Sequence, residues 1–196
     1  MKIKVGCFAI MLFLALFISH SYFALASLAA IILHECGHIF AAKTMKIKMS
    51  ECKIDIFGAA LTPLSNDFSY KDEIFLCICG PAANILTALA VFPYCLFTQN
   101  KVTLYFILAS FSLALLNLIP IKGFDGGRIF FSLLCLLSDI DVAEKVLSAV
   151  SFICILILWI MSVYFLLMAR SNLSLFVFSI SLFVKIFLKE NKTGVI

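Results

Sequence analysis

The chain has 196 residues, of which 64% are hydrophobic and 13% are charged, and its formal net charge is +4. Globular chains carry about 25% charged residues, so this composition excludes a soluble domain and predicts a single integral-membrane domain over residues 1–196. We expect the lipid bilayer to be its environment and expect no nucleic-acid partner.

The first apolar stretch, residues 5–43, is too long for one membrane helix, which needs about 20 residues. His20 and Ser21 near its middle predict a turn between two spans. An alternative is a secretory signal ending at Ala24-Leu25-Ala26, but the chain continues as an apolar helix after that point. The pattern therefore predicts six spans, near residues 5–19, 22–43, 74–97, 102–119, 146–169 and 172–189.

Residues 48–66 differ from the segments around them. Cys52–Phe57 alternates polar and apolar residues, and Gly58 and the Thr62-Pro63 pair interrupt the pattern. Alternation with a period of two predicts a strand or hairpin, which we place at the membrane surface. The expected fold class is therefore an all-α polytopic membrane protein with about six transmembrane helices and a short β-hairpin between the second and third. We also expect an edge of the 52–57 strand to pair with an extended substrate.

The distribution of basic residues predicts the orientation. If the N-terminus is cytoplasmic, all Lys and Arg residues except Lys101 and Arg170 fall in cytoplasmic segments. Cytoplasmic loops carry an excess of Lys and Arg, so both termini are predicted to be cytoplasmic in a bacterial cell membrane. The second span then leaves the membrane on the cytoplasmic side, and residues 34–38 lie near that face.

The second span contains His34-Glu35-Cys36-Gly37-His38. Residues four apart share a helix face, so His34 and His38 can direct ring nitrogens at one zinc ion, while Glu35 can take a proton from the attacking water. Charged groups in hydrocarbon are costly and usually functional. The alternative, a pair of hydrogen-bonded core histidines, gives Glu35 no reason to be there.

A catalytic zinc ion usually has three protein ligands. His20 lies about 20 Å from His34 along a helix, so it is more simply a turn residue. Asp125 follows the fourth span in a Gly-rich turn after Pro120, on the same side of the membrane as His38. We therefore predict Asp125 to be the third ligand; the alternative is an ordinary loop aspartate.

Together, these motifs resemble the site-2 protease family of intramembrane zinc metalloproteases (peptidase family M50). That family pairs HExxH with a later N-x-x-P-x-x-x-x-D-G-type motif. In this chain the later motif consists of Asn117, Pro120, Asp125 and Gly126. Gly80–Asn84 is similar to a further G-x-x-x-N-type motif. The run from Asn117 to Arg128 is most similar to the stage IV sporulation protein FB type, although the C-terminal CBS domain usual in that subgroup is not in this sequence.

The resemblance implies an intramembrane zinc endopeptidase with one Zn²⁺ per chain and a membrane-embedded or membrane-tethered protein substrate, such as a pro-sigma or anti-sigma factor. A regulatory membrane protein is a further expected partner. The resemblance also implies that Asn84 and Asn117 hold substrate or stabilise the oxyanion; the alternative for both is helix–helix hydrogen bonding. A membrane metal-ion transporter or metal sensor with the same ligands is the competing function.

Overall fold

The computed structural model describes residues 2–5, 22–46, 49–55, 58–63, 69–169 and 179–184. Residues 179–184 form a helical segment. The other elements, in chain order, are β1 (Lys2–Val5), α1 (Tyr22–Thr44), β2 (Met49–Asp55), β3 (Gly58–Pro63), α2 (Tyr70–Thr98), α3 (Lys101–Leu118), α4 (Asp125–Leu137) and α5 (Ile140–Ala169).

Within the described residues, 4 helices are long and apolar enough to cross a membrane: α1, α2, α3 and α5. They coincide with the predicted spans at 22–43, 74–97, 102–119 and 146–169. The count of six therefore exceeds what the described part of the chain contains. The other two predicted spans, 5–19 and 172–189, and the predicted turn at residues 20–21 lie outside the described residues, except for residue 5 at the end of β1 and residues 179–184.

Local capping explains where α2 and α3 begin and end. Ser69 precedes α2 and forms a capping box. Its hydroxyl accepts a hydrogen bond from the backbone N–H of Lys71, and the Asp72 carboxylate accepts one from the backbone N–H of Ser69. At the other end, Gln99 adopts a left-handed conformation with φ 49. Asn100 then caps α3 by accepting from the backbone N–H of Val102 at 2.9 Å. Because α2 and α3 are joined by this short connection, they pack as antiparallel neighbours.

The packing is inverted relative to that of a soluble protein. The three helices α1, α2 and α3 contact one another, α4 packs on α2 and α3, and α5 packs on α4. Alanine, serine and the polar site residues dominate the interior, whereas large apolar side chains such as Phe97 and Leu137 face outward. Small residues let membrane helices approach closely, and the apolar exterior suits a lipid environment.

The strands form a sheet with the order β1-β2-β3. β2 and β3 pair antiparallel within the segment where the alternating sequence predicts a hairpin. β1 pairs parallel with β2, with Ile3 opposite Cys52. The expectation that the 52–57 strand offers a free edge is therefore wrong: β1 and β3 flank β2. The alternation of polar and apolar residues in Lys2-Ile3-Lys4-Val5 could have indicated the strand β1. Lysines are, however, also typical of the flank of a membrane span.

Candidate metal centre

Helix α1 brings His34 and His38 together because they lie one turn apart on its buried face. Both side chains are only 4% exposed. Their Nε2 atoms are 3.2 Å apart, and the rings meet edge to face with centroids 4.8 Å apart. The pair predicted from the four-residue spacing therefore points two ring nitrogens at one location.

Asp125 reaches the same location from the first turn of α4. Its Oδ2 atom lies 3.0 Å from His34 Nε2 and 3.3 Å from His38 Nε2. Two features of the chain place it there: α3 ends before Pro120, and Gly123 turns the backbone with φ +96. Any Cβ at Gly126 would overlap the Leu118 carbonyl, so α4 can pack against the end of α3 only with glycine at this position.

The turn that carries Asp125 is attached to α5. The buried hydroxyl of Ser151 accepts from the backbone N–H of Lys122 at 2.9 Å and donates to the Pro120 carbonyl at 3.4 Å. Ile121 and Phe124 pack into a small apolar cluster with Ile155. These hydrogen bonds and packing contacts fix the turn against α5, and they thereby hold the Asp125 carboxylate in position.

Helix α2 passes close to the histidine pair because it has glycine at the contact. A Cβ at Gly80 would overlap His38 Nε2 and lie 2.9 Å from His34 Nε2. On α1, a Cβ at Gly37 would overlap the Cys79 carbonyl and lie 2.9 Å from the Cβ of Ala83. Gly37 and Gly80 therefore let the two helices close around the site while leaving space beside the ring nitrogens.

These residues fit a metal ion. The ligand atoms of His34, His38 and Asp125 all lie within 4.8 Å of one another, and their pairwise contacts match the separation of about 3.3 Å between ligands of a tetrahedral zinc ion. Burial raises the pKa of Asp125, but hydrogen bonds with His34 and His38 outweigh burial and bring it down to about 2. Asp125 is therefore ionised at neutral pH, the form in which carboxylates bind metals.

The second ring nitrogen of each histidine faces α2. His38 Nδ1 lies 2.8 Å from the Leu76 carbonyl oxygen. His34 Nδ1 lies 3.3 Å from the side-chain amide of Asn84. Both contacts are buried. They form the outer layer of the centre, which commonly orients metal-binding histidines.

The other predicted site residues do not belong to the group of candidate metal ligands. Glu35 follows His34 on α1 and is half-buried. Asn117 donates to the Leu113 carbonyl of its own helix at 3.1 Å, so this hydrogen bond does not join the metal-binding group. His20 lies outside the described residues. The sequence predicted the three residues that the structure brings together, but it did not predict the contacts of Gly37, Gly80 and the Leu76 carbonyl.

An ion pair also missed from the sequence joins α2 to α4. Arg128 Nε lies 3.1 Å from Glu73 Oε1, and both side chains are about one quarter exposed. Arg128 is one turn after Asp125, so this pair helps hold the start of α4 against α2. Helical spacing relates Arg128 to Asp125, but only the packing of α4 on α2 identifies Glu73 as its partner.

Comparison with known proteins agrees with this geometry. A model described as "Peptidase family M50" matches residues 22–106 and 98–161. No curated protein matches the chain. Among solved structures, the fold is similar to "Site-2 Protease from Methanocaldococcus jannaschii", with a TM-score of 0.67 and 19% identity over 99% of this chain and 91% of that one. Since the family model spans more than half of the sequence, the chain belongs to peptidase family M50.

Proposed function

We propose that the protein is an intramembrane zinc endopeptidase that hydrolyses a peptide bond in or near a transmembrane or membrane-tethered segment of another protein. The observation that carries this proposal is the convergence of His34, His38 and Asp125 inside a bundle of apolar helices. Family membership and the site-2 protease fold support an intramembrane metalloprotease. We assign zinc because two histidines in an H-E-x-x-H motif together with a carboxylate are the ligand set of zinc-dependent peptidases.

The chain supplies the groups that hydrolysis needs. A bound zinc ion lowers the pKa of water and polarises a carbonyl oxygen. Glu35, next to His34 on α1, is the general base that we assign: it accepts a proton from the attacking water and later donates it to the leaving amine. His34, His38 and Asp125 would hold the ion, and the missing side chain of Gly80 would leave room beside it.

We propose that the site is reached from the cytoplasmic side of the membrane. Leu76, which contacts His38, lies about 9 Å from the start of α2 at 1.5 Å per residue, so the centre is near one end of the helices. That end carries Lys43 and Lys71, whereas Lys101 lies at the opposite end. The positive-inside rule then places the site near the cytoplasmic face, with both termini cytoplasmic.

The substrate class follows from the location of the site. A helical substrate hides its amides in hydrogen bonds, so it must be bound in an extended form before cleavage. Because β2 lies between β1 and β3, we propose that an outer edge of the sheet, at β3, pairs with the unwound segment.

The likeness of Asn117–Arg128 to the sporulation subtype supports a pro-sigma or anti-sigma factor as substrate and a regulatory membrane protein as partner.

Transport of a metal ion is less well supported. Transporters distribute polar groups along a path through the membrane. Among the described residues, His, Cys, Asp and Glu side chains gather into a metal-binding group at this one location. A single buried centre favours chemistry at a fixed point over passage.

Replacement of Glu35 by Gln tests the proposal. The amide keeps the size of the side chain but cannot accept the proton, so we expect cleavage of a membrane-tethered test protein in vesicles to fall by about 10²–10⁴-fold. Zinc content should stay at one ion per chain, measured by elemental analysis of the purified protein.

The matched control is Glu144→Gln, which removes a carboxylate that pairs with Lys122 at the surface. Exposed ion pairs contribute about 1 kcal/mol or less, so cleavage by this variant should remain near that of the unmodified chain. Full activity of Glu35→Gln would rule out the assigned base.

A further inference from the structure

Three residues of α2 line the face that meets the histidines. Leu76, Gly80 and Asn84 are spaced four apart and therefore lie in one row on the helix. The Leu76 carbonyl contacts His38, Gly80 leaves the gap beside both Nε2 atoms, and Asn84 contacts His34. The row thus follows the histidine pair from one ring to the other.

The contact at His38 defines its tautomer. A backbone carbonyl can only accept a hydrogen bond, so Nδ1 of His38 must carry a proton and donate to Leu76. When the ring is neutral and a metal ion is bound, Nε2 of His38 therefore presents its lone pair to that ion. The same requirement applies to His34, whose Nε2 lies 3.0 Å from Asp125 Oδ2: its Nδ1 must also donate.

Asn84 is the partner available for that proton. Its side chain is fully buried, and its amide nitrogen is placed 3.3 Å from His34 Nδ1. The amide oxygen Oδ1 is buried and has no hydrogen-bond partner among the residues that the structure describes. The oxygen and nitrogen of an amide are interchangeable in shape. A 180° turn of the amide would place Oδ1, an acceptor, against the N–H of His34.

We propose that Asn84 is a positioning residue of the metal centre: its Oδ1 accepts the Nδ1 proton of His34 and holds the ring with Nε2 toward the ion. This inference rests on the proposed zinc site. It differs from a substrate-binding or oxyanion role, because Asn84 contacts the ring nitrogen on the side away from the ligand atom. An amide in that position stabilises the ligand and is screened from the substrate by the imidazole.

The test measures Zn²⁺ affinity of the purified full chain by competition with a chelator. Asn84→Leu keeps the size but removes the acceptor, and we expect affinity to fall by roughly 10- to 100-fold. Asn84→Asp supplies an acceptor at the same position and should retain affinity close to that of the unmodified chain. Asn117→Leu, the matched loss of an amide from α3, should leave Zn²⁺ affinity unchanged.

Each outcome decides between roles. Equal weakening in the Leu and Asp variants would overturn the acceptor role, as would unchanged affinity in Asn84→Leu. A loss of cleavage in Asn84→Leu with unchanged Zn²⁺ affinity would instead assign Asn84 to the substrate. If the unmodified chain itself binds no Zn²⁺, the proposed function fails, and this result is distinct from failure of the Asn84 assignment alone.

Discussion

At the scale of single residues, the centre depends on what is absent from a side chain as much as on what is present. His34, His38 and Asp125 offer atoms that could bind a metal ion, because of the chemistry of their side chains. Gly80 contributes space, since any Cβ there would overlap His38 Nε2. The identity of the ligands can be read from the motif, whereas the need for glycine follows from how closely α2 approaches α1.

Replacing Gly80 with Ala tests this role of space. Alanine favours a helix by about 1 kcal/mol relative to glycine, so α2 itself should be no less stable. The added methyl would push the histidine nitrogens out of register, and ligands tolerate only about 0.5 Å of displacement. We expect Zn²⁺ affinity, measured by chelator competition, to fall at least about 10-fold.

The control for this variant is Cys79→Ala, a small change at the adjacent position outside the row of Leu76, Gly80 and Asn84. Its Zn²⁺ affinity should match that of the unmodified chain. Wild-type affinity in Gly80→Ala would show that the ion does not bind beside Gly80.

At the scale of elements, α2 organises the site although it supplies none of the three ligands. It contacts α1, α3 and α4, and it presents Leu76 and Asn84 to the two histidines. The Glu73–Arg128 ion pair extends the same contact to α4. In the G-x-x-x-N motif of α2, the glycine, Gly80, leaves space beside the histidine nitrogens, and the asparagine, Asn84, contacts His34.

The sheet gives a second expectation at this scale. Successive N–H groups along an edge strand point alternately toward its partner and outward, and proline removes one of them. We therefore expect proline at either Ala59 or Ala60 of β3, whichever N–H faces outward, to reduce cleavage by at least about 10-fold while Zn²⁺ content stays unchanged.

The comparison between the two positions provides the control, because the other proline disrupts pairing with β2 instead. Both variants are assayed for cleavage of the tethered test protein and for bound Zn²⁺. Full cleavage by both would exclude substrate capture at the β3 edge.

At the scale of the whole molecule, the polar residues of the site lie inside the described helices, and many large apolar side chains face outward. Asp125 is 8% exposed, whereas Phe97 is 89% exposed. This arrangement is stable only if lipid covers the exterior, and it separates the metal centre from bulk water except near the helix ends. The basic residues at one of those ends set the predicted orientation.

Fusion of alkaline phosphatase, which is active only outside the cytoplasm, tests that orientation. A fusion after Asn100, between α2 and α3, should be active because this turn is predicted to face outward. A fusion after Lys46, beyond α1, should be inactive. Phosphatase activity in whole cells is the measurement, and the reverse pattern would place the metal centre at the outer face.

The amino-acid sequence was sufficient to predict the membrane-spanning helices of the described part and the residues with metal-binding chemistry. Apolar runs of sufficient length predicted α1, α2, α3 and α5, because lipid requires long, continuous apolar helices; the largest difference is at α5, which starts at Ile140 rather than at residue 146. The spacing of His34 and His38 predicted a shared face, because that relation lies within one helical turn. Asp125 was identified from its turn, its side of the membrane and the family resemblance.

The contacts between residues of different elements could be identified only in the folded chain. The pairing of β1 with β2, the attachment of the Asp125 turn to Ser151 and the contact of Asn84 with His34 join residues distant in sequence. Periodicity describes one helix or strand at a time, so it carries no information about which faces pack together. The outer layer of the metal centre, formed by the contacts of Leu76 with His38 and of Asn84 with His34, consists of such contacts and could therefore not be predicted from periodicity.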